Sequence, residues 1–450
     1  MIVTWEKQEQ RFVLNFEPEK EDITEGLKSF RGVTYKMAKN TCYISVPLDW
    51  DIDKTHPDLL AAVVILIIEP FVGKRIVLPR SVSLDFHNVF LDNFHKEVGP
   101  VDSDLPKRTA QDNSRPSLAF SGGVDSVSAA ILLPKNTVCL FVDRDSSGEV
   151  RPGRYNKSAA LFAIEGMKKL GHDVKAVLTD YEFIRDPVGF AWGISSAVPP
   201  LLLADYYNLD SLAFGMILES AYGIGDESFR EPNHTWRDIL VAAGLPYNLV
   251  TAGFSEVATA KFLIGFPEYY ILAQSCIRGN PGQPCQRCLK CFRKSLLEKA
   301  IKKENPEDLD LENKSLILEI FNHITKTPIH HENIYTYALS NYKGTNRFLN
   351  LFAKKVRARR IKSKWLENWY SSSALLMFSK YRSHIVHVIQ QHVRTMDTKD
   401  EKNLRSWNPH TVFATNGLKS FFYKRNAKKF FDYLSSQTKQ PKKPLKSAKI

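Results

Sequence analysis

The stretch Ser121-Gly-Gly-Val-Asp-Ser126 sets two hydroxyls and a carboxylate around a pair of glycines. It follows the apolar run Ser117-Leu-Ala-Phe120, which has the length of a buried strand, and leads at once into Val124 to Leu133, which reads as a helix. A strand, a glycine turn and a helix start in succession aim free backbone N–H groups and the positive end of a helix dipole at one point. With no Cβ in the way, an anion can approach that point closely. The chemistry expected here is phosphate binding. A Walker loop would read Gly-x4-Gly-Lys-Ser/Thr, and no such lysine is present. By residue type, Gly122 and Gly123 admit a phosphate chain and Ser121 and Ser126 donate to it. Asp125 suits a magnesium ion bridging pyrophosphate oxygens.

A second cluster is Cys276, Cys285, Cys288 and Cys291, with eight, two and two residues between successive cysteines. Four thiolates that a Gly/Pro loop can fold together make a closed tetrahedral zinc site of the structural kind. The same four thiolates would also suit an iron-sulfur cluster, but all of them are local and no further cysteine lies nearby to take part in sulfur chemistry, which favours zinc. Arg278, Arg287, Lys290, Arg293 and Lys294 surround the cluster and would offset its negative charge.

The elements that must position these residues start at Pro116, where apolar strands alternate with helices. Candidate strands are Leu118 to Phe120, Val138 to Val142, Val174 to Leu178, Ser211 to Met216, Tyr247 to Thr251 and Tyr269 to Ala273. Helices are expected over 124–133, 155–170, 200–207, 236–243 and 256–264. This alternation implies a doubly wound parallel sheet covered on both faces, with its ligand at the carboxyl ends of the strands, where Ser121 falls. Residues 1–112 read as a separate α+β domain, with strands near 11–16, 41–46 and 75–78 around a buried helix at Leu59 to Ile68. The polar segment Asp102 to Arg115 reads as a linker. The expected division is 1–112, 116–300 and a mainly helical basic region at 301–450.

Composition is that of an ordinary globular chain, 43% hydrophobic and 25% charged. The N-terminal residues lack the pattern of a signal peptide, and the most apolar run is far shorter than the roughly 20 residues that cross a bilayer. A cytoplasmic location is expected. Of the 62 Lys and Arg residues 25 lie in 341–450, against 5 of the 49 Asp and Glu, so that segment carries +20 and the rest −7. Aromatic residues flank its run from Lys354 to Lys364, which suggests a polyanionic partner: nucleic acid first, then an acidic protein or an anionic membrane face. The last residues, Thr438 to Ile450, are Lys/Pro/Ser-rich and expected to be disordered.

The lysine-free turn resembles the Ser-Gly-Gly-x-Asp-Ser signature of the ATP pyrophosphatases, which implies a fold of that type and cleavage of ATP between its α- and β-phosphates. With the cysteine spacing about 150 residues later, the stretch from Ser117 to Glu298 resembles the 7-cyano-7-deazaguanine synthase family of queuosine precursor biosynthesis. The resemblance implies ATP, Mg2+ and Zn2+ as cofactors. Nucleotide contacts would come from Ala119, Phe120, Ser121, Gly122, Gly123, Asp125 and Ser126, and Val142 would border the adenine. Asp125 and Ser126 would carry the catalysis. It implies a ligase that activates a small carboxylate as its acyl-adenylate, releases pyrophosphate, and lets an amine attack to give an amide and then a nitrile. Departures bear on the substrate. Gly189-Phe-Ala-Trp-Gly193 stands where the family has an arginine-asparagine pair, and the substrate loop reads Tyr222 to Arg230, with Asp226 and Arg230 as candidate contacts. Two other functions compete: an RNA thiolase, for which Cys42 and Cys139 are the spare thiols, and a polyanion-binding protein with a degenerate enzyme domain.

Overall fold

The computed structural model describes residues 1–28, 32–145, 156–225, 227–306, 309, 314–409 and 418–438. Its strands are β1 Ile2–Gln8, β2 Arg11–Glu17, β3 Leu27–Lys28, β4 Thr34–Met37, β5 Thr41–Ser45, β6 Arg75–Ser83, β7 Glu97–Asp102, β8 Arg115–Phe120, β9 Val138–Arg144, β10 Asp173–Thr179, β11 Arg185–Asp186, β12 Leu209–Phe214 and β13 Tyr247–Asn248. The first helices are α1 Pro57–Ile68, α2 Leu84–Phe94, α3 Val124–Leu132, α4 Ser158–Lys169, α5 Val198–Leu202, α6 Leu218–Ala221, α7 Thr235–Ala242 and α8 Glu256–Ile264. They are followed by α9 Pro267–Tyr270, α10 Leu289–Lys302, α11 Lys314–Ile324, α12 Glu332–Ala338, α13 Arg347–Lys355, α14 Ser379–His392, α15 Thr398–Arg405 and α16 Leu418–Thr438. Contacts divide the chain into two units. One comprises Met1–Gly215, Asn233–Val250 and Ala374–His387, and the other Met216–Pro232, Thr251–Ser373 and Val388–Ile450.

The first unit is built on a ten-stranded sheet in the order β13-β12-β8-β9-β10-β5-β2-β1-β6-β7. From β13 to β10 every pairing is parallel. β8 and β12 are buried along almost their whole length, as strands covered on both faces must be. In chain order these five strands run third, second, first, fourth, fifth, which is a doubly wound arrangement. The order reverses between β8 and β12, where such sheets open a crevice at their carboxyl ends.

The N-terminal residues do not form a domain of their own. β5 pairs antiparallel with β10, and β2 and β1 continue the sheet outward. β2 alternates buried and more exposed positions as a half-covered antiparallel strand should. What the sequence could not express is the hydrogen-bonding edge of β10, which β5 occupies. Nor is 102–115 a loose linker. Arg108 is buried and donates to Asp205 (2.7 Å), the Gly244 carbonyl (2.6 Å) and the Leu209 carbonyl (2.9 Å).

Helix α1 is buried on every side, with Pro57 in its first turn and His56 Nδ1 accepting from the Asp58 N–H. Among the described residues no helix is long and apolar enough to cross a membrane.

The second unit is helical. Its core gathers Phe292 and Leu296 of α10, Ile320 of α11, Tyr335 of α12, Phe352 of α13 and Phe430 of α16. The strand expected over Tyr269 to Ala273 is instead α9 and a following turn. Pro267 at its first position sets a helical φ and overrides the strand preference of the two tyrosines. The strand expected over Tyr247 to Thr251 shortens to two residues. Helix α4 starts at Ser158, and Tyr155 lies outside the described residues, as does the tail beyond Thr438.

Candidate functional site

The turn 121–126 sits at the carboxyl end of β8, beside the point where strand order reverses. Gly122 has φ +70°, a conformation that favours glycine, and a Cβ there would come within 3.2 Å of the Ala163 Cβ. Gly123 is the N-cap of α3 and makes no side-chain cap bond, so the first N–H groups of the helix have no hydroxyl or carboxylate of the cap to satisfy them. Ser121 is exposed at the mouth of the turn, whereas Ser126 is buried beneath it. The Ser126 hydroxyl donates to the Gly123 carbonyl (3.1 Å), accepts from the Ser121 N–H (3.2 Å) and lies 3.0 Å from the Ser121 hydroxyl. Its place is that of a brace. Asp125 is half-buried in the first turn of α3, and Ala119 and Phe120 are buried in β8.

Gly215, directly after β12, completes this site and was not singled out by its sequence. A Cβ on it would stand 2.7 Å from the Ser126 nitrogen, 2.8 Å from the Asp125 carbonyl carbon and 2.9 Å from the Ser126 Cα. These are backbone atoms that cannot swing aside. The end of β12 therefore touches the start of α3 only because residue 215 has no side chain. One signal was available: Leu212-Ala-Phe-Gly215 and Leu118-Ala-Phe-Ser121 end adjacent strands in similar words.

At the end of β9, Val142 is half-buried. The two acids that follow are engaged with other side chains. Lys157 Nζ lies 3.1 and 3.2 Å from the carboxylate oxygens of Asp143, and the Tyr43 hydroxyl of β5 donates to Asp145. Arg144 pairs with the buried Glu182.

In the second unit the four cysteine sulfurs all lie within 4.8 Å of one another. Cys285 and Cys291 are 3.7 Å apart and Cys288 and Cys291 3.5 Å. Sulfurs bound to one tetrahedral zinc ion at about 2.3 Å would stand about 3.8 Å apart, so the cluster has the dimensions to hold a metal ion. Helix α10 begins here, with the Cys288 sulfur accepting from the Cys291 N–H (3.5 Å). The hydrogen bond from the neighbouring Cys291 thiol lowers the Cys288 thiol from its ordinary value. Gly279 lets the loop close, because a Cβ there would stand 2.3 Å from the Gln283 carbonyl oxygen and 2.8 Å from the Pro284 Cα. The basic residues expected to offset the thiolates are partly committed elsewhere. Arg278 pairs with Glu319 (2.9 Å), and Arg293 and Lys294 pair with Glu256 (3.1 and 3.0 Å).

That last contact belongs to a buried acid cluster which the sequence did not announce. Burial pushes the Glu219 carboxyl up to about 8, and the neighbouring Glu256 adds to the shift. Glu219 accepts from the Glu256 N–H at the start of α8 (3.2 and 3.1 Å) and from Asn333 (2.8 Å). Burial also works against the Glu256 carboxylate, but Arg293 and Lys294 outweigh it and hold its carboxyl well below the usual range. The folded protein thus keeps a proton on Glu219 that the unfolded chain releases above its ordinary value near 4.5. The resulting stabilisation is full below that value and is lost as pH rises towards 8. A decline in melting temperature between pH 5 and 8 is expected of the parent, and Glu219→Gln, which imitates the protonated acid, should flatten it. An identical decline in both proteins, followed by scanning fluorimetry, would assign it to other groups.

A family model described as a family of unknown function (DUF6395) matches residues 235–408. No curated protein and no solved structure matches the chain. The matched stretch runs from α7 through the cysteine cluster to α15, and the glycine turn precedes it.

The loop Tyr222 to Arg230 packs within the second unit. Tyr222 stacks on Phe229 (5.4 Å, 17°), and Arg405 lies over the Phe229 ring at 5.1 Å. Arg230 pairs with Glu227 (3.2 Å) at the surface, and Asp226 lies outside the described residues. In the first unit Trp192, of the stretch that departs from the arginine-asparagine pair, packs against Phe94 and Trp236 at 6.0 and 5.3 Å. The spare thiols Cys42 and Cys139 are both buried, and burial pushes the Cys139 thiol up to about 12. Neither is placed to act as a nucleophile.

Proposed function

We propose that this protein is an ATP-dependent carbon-nitrogen ligase that forms AMP and pyrophosphate, similar to the 7-cyano-7-deazaguanine synthase family, with its ATP pyrophosphatase site at residues 119–126. The observation that carries this reading is the lysine-free turn at the reversal point of a doubly wound sheet, joined to a helix start without a side-chain cap and closed by a glycine-only contact with β12.

Gly122, Gly123 and the first N–H groups of α3 would receive the phosphates of ATP, and Ser121 would donate to them. Asp125 is the residue to hold a magnesium ion, which supplies charge neutralisation for pyrophosphate as a leaving group. Val142 would border the adenine. A carboxylate oxygen attacks the α-phosphorus and the bond to the bridging oxygen of pyrophosphate breaks. An amine then attacks the acyl carbon, loses its proton, and AMP departs. No protein nucleophile is needed, so catalysis is positioning and charge stabilisation. Zinc is the metal we assign to Cys276, Cys285, Cys288 and Cys291, as a structural ion.

The test is to incubate the protein with ATP labelled at the α-phosphate, magnesium, ammonium and a panel of small carboxylic acids. AMP and pyrophosphate are the expected products. Asp125→Ala should reduce their formation by about a thousandfold, the scale on which a lost electrostatic stabiliser acts. ADP and orthophosphate as the only products would refute the reading.

A further inference from the structure

The basic C-terminal region was expected to offer stacking through aromatic residues around Lys354 to Lys364, and the structure withdraws them. Phe348, Phe352, Trp365 and Trp369 are all buried, and Phe378 is half-buried. Several cations of the run are structural too. Lys355 is buried with its amino group on the Ile324 and Lys326 carbonyls, and Arg357 pairs with Glu332 (3.4 Å).

Helix α16 presents the opposite arrangement. Its inner side, with Tyr423, Ala427, Phe430 and Leu434, is buried. Its outer side carries Phe421 and Phe422, 61% and 46% exposed, with the exposed cations Lys424, Arg425, Lys428 and Lys429 following them. Lys428 pairs with Asp432 at 2.7 Å. Lys424 and Lys428, and likewise Arg425 and Lys429, are four residues apart, about 6 Å along the helix, so the charges form two short rows. The phenylalanine ring centres are 5.9 Å apart with their planes at 73°.

We infer that this outer face of α16 binds single-stranded nucleic acid, the cations taking phosphates and Phe421 and Phe422 stacking on unpaired bases. The positive charge selects a polyanion, and two exposed rings beside it select one with flat apolar faces. A duplex keeps its base faces covered, which leaves single strands. A membrane is the poorer fit, because a helix lying on lipid needs a broad apolar face and α16 has spent its own on the protein core.

The experiment uses the full chain and a fluorescein-labelled oligouridine of about 20 nucleotides, a length that exceeds the site sizes of common single-strand modules. Affinity is read by fluorescence anisotropy over a range of salt. Phe421→Ala with Phe422→Ala should weaken binding by about tenfold or more at every salt concentration. Lys424→Glu with Arg425→Glu and Lys429→Glu should weaken it further and make the slope of log K against log salt shallower by about 2, at roughly 0.7 per lost phosphate contact. All five side chains point outward, so circular dichroism melts should match the parent. Absence of binding by the parent, parental affinity in the phenylalanine variant, or an unchanged salt slope in the charge variant overturns the assignment. So does loss of phosphatidylserine-vesicle binding in both variants while their affinity for RNA is intact. The outcome is independent of ATP turnover.

Discussion

Cys288→Ser is expected to yield protein that is largely insoluble and, in its soluble fraction, contains no stoichiometric zinc. Cys288 is both a member of the sulfur cluster and the N-cap of α10, its sulfur accepting from the Cys291 N–H. Helix α10 in turn supplies Phe292 and Leu296 to the core of the helical unit, and Arg293 and Lys294 to the buried Glu256. Serine can still cap α10, so what the substitution removes is a thiolate ligand and with it the proposed zinc cross-link between the Gly/Pro loop and the start of the helix. Binding a structural zinc ion is worth about 10–16 kcal/mol in small domains, comparable to the whole stability of a protein, and for the proposed zinc it would be folding free energy. The check is elemental analysis of parent and variant with a solubility assay. One zinc per chain in the parent and none in the variant is expected. Soluble variant protein with the parent's melting temperature would show that the cysteines hold nothing structural, and iron with sulfide in the parent would replace zinc by a cluster.

Gly215→Val should weaken the proposed nucleotide binding by about a hundredfold while leaving the protein folded. The added Cβ alone falls within 2.9 Å of backbone atoms of Asp125 and Ser126, so α3 must shift away from β12. Overpacking of this kind costs about 1–3 kcal/mol. A domain this size survives such a loss, but the turn does not keep its shape, because Ser126 holds Ser121 and Gly123 from beneath and moves with the helix start. A displacement of an ångström at a positioning site costs about a hundredfold. Gly122→Ala should act in the same direction through its positive φ. The measurement is calorimetric titration with a non-hydrolysable ATP analogue, beside a thermal melt. Parental affinity in Gly215→Val would separate the close contact from the site.

The parallel half of the sheet was legible because strands covered on both faces are written as unbroken apolar runs between helices. β8, β9, β10 and β12 therefore fell within a few residues of their expected bounds. The turn was legible because glycine and hydroxyl residues have few other reasons to gather after such a strand. Less could be read where the decisive partner lay far away in sequence. Gly215 explains itself only against Ser126, and Glu219 only against Glu256 and Asn333. The junction of β5 with β10 has one paired position, Ile44 with Thr179, and is held by bonds from the side chains of Ser45, Thr179 and Asp180 to backbone groups more than 130 residues away. Aromatics near Lys354 to Lys364 looked available because charge and aromatic content do not say which side of a helix faces inward. In α13 the pattern buries Phe348 and Phe352 and leaves Lys354 outside.

The joining of β5 to β10 also has a consequence in time. During synthesis β1, β2 and β5 emerge early, and the strand that closes the open side of β5 follows only after about 130 further residues. At about 5–20 residues per second the ribosome leaves that edge unpaired for roughly 6 to 26 seconds. An exposed edge is a template for other chains. The open edge of β5 is thus a place where a nascent-chain chaperone would help and where slowed translation before residue 173 would lengthen the exposure.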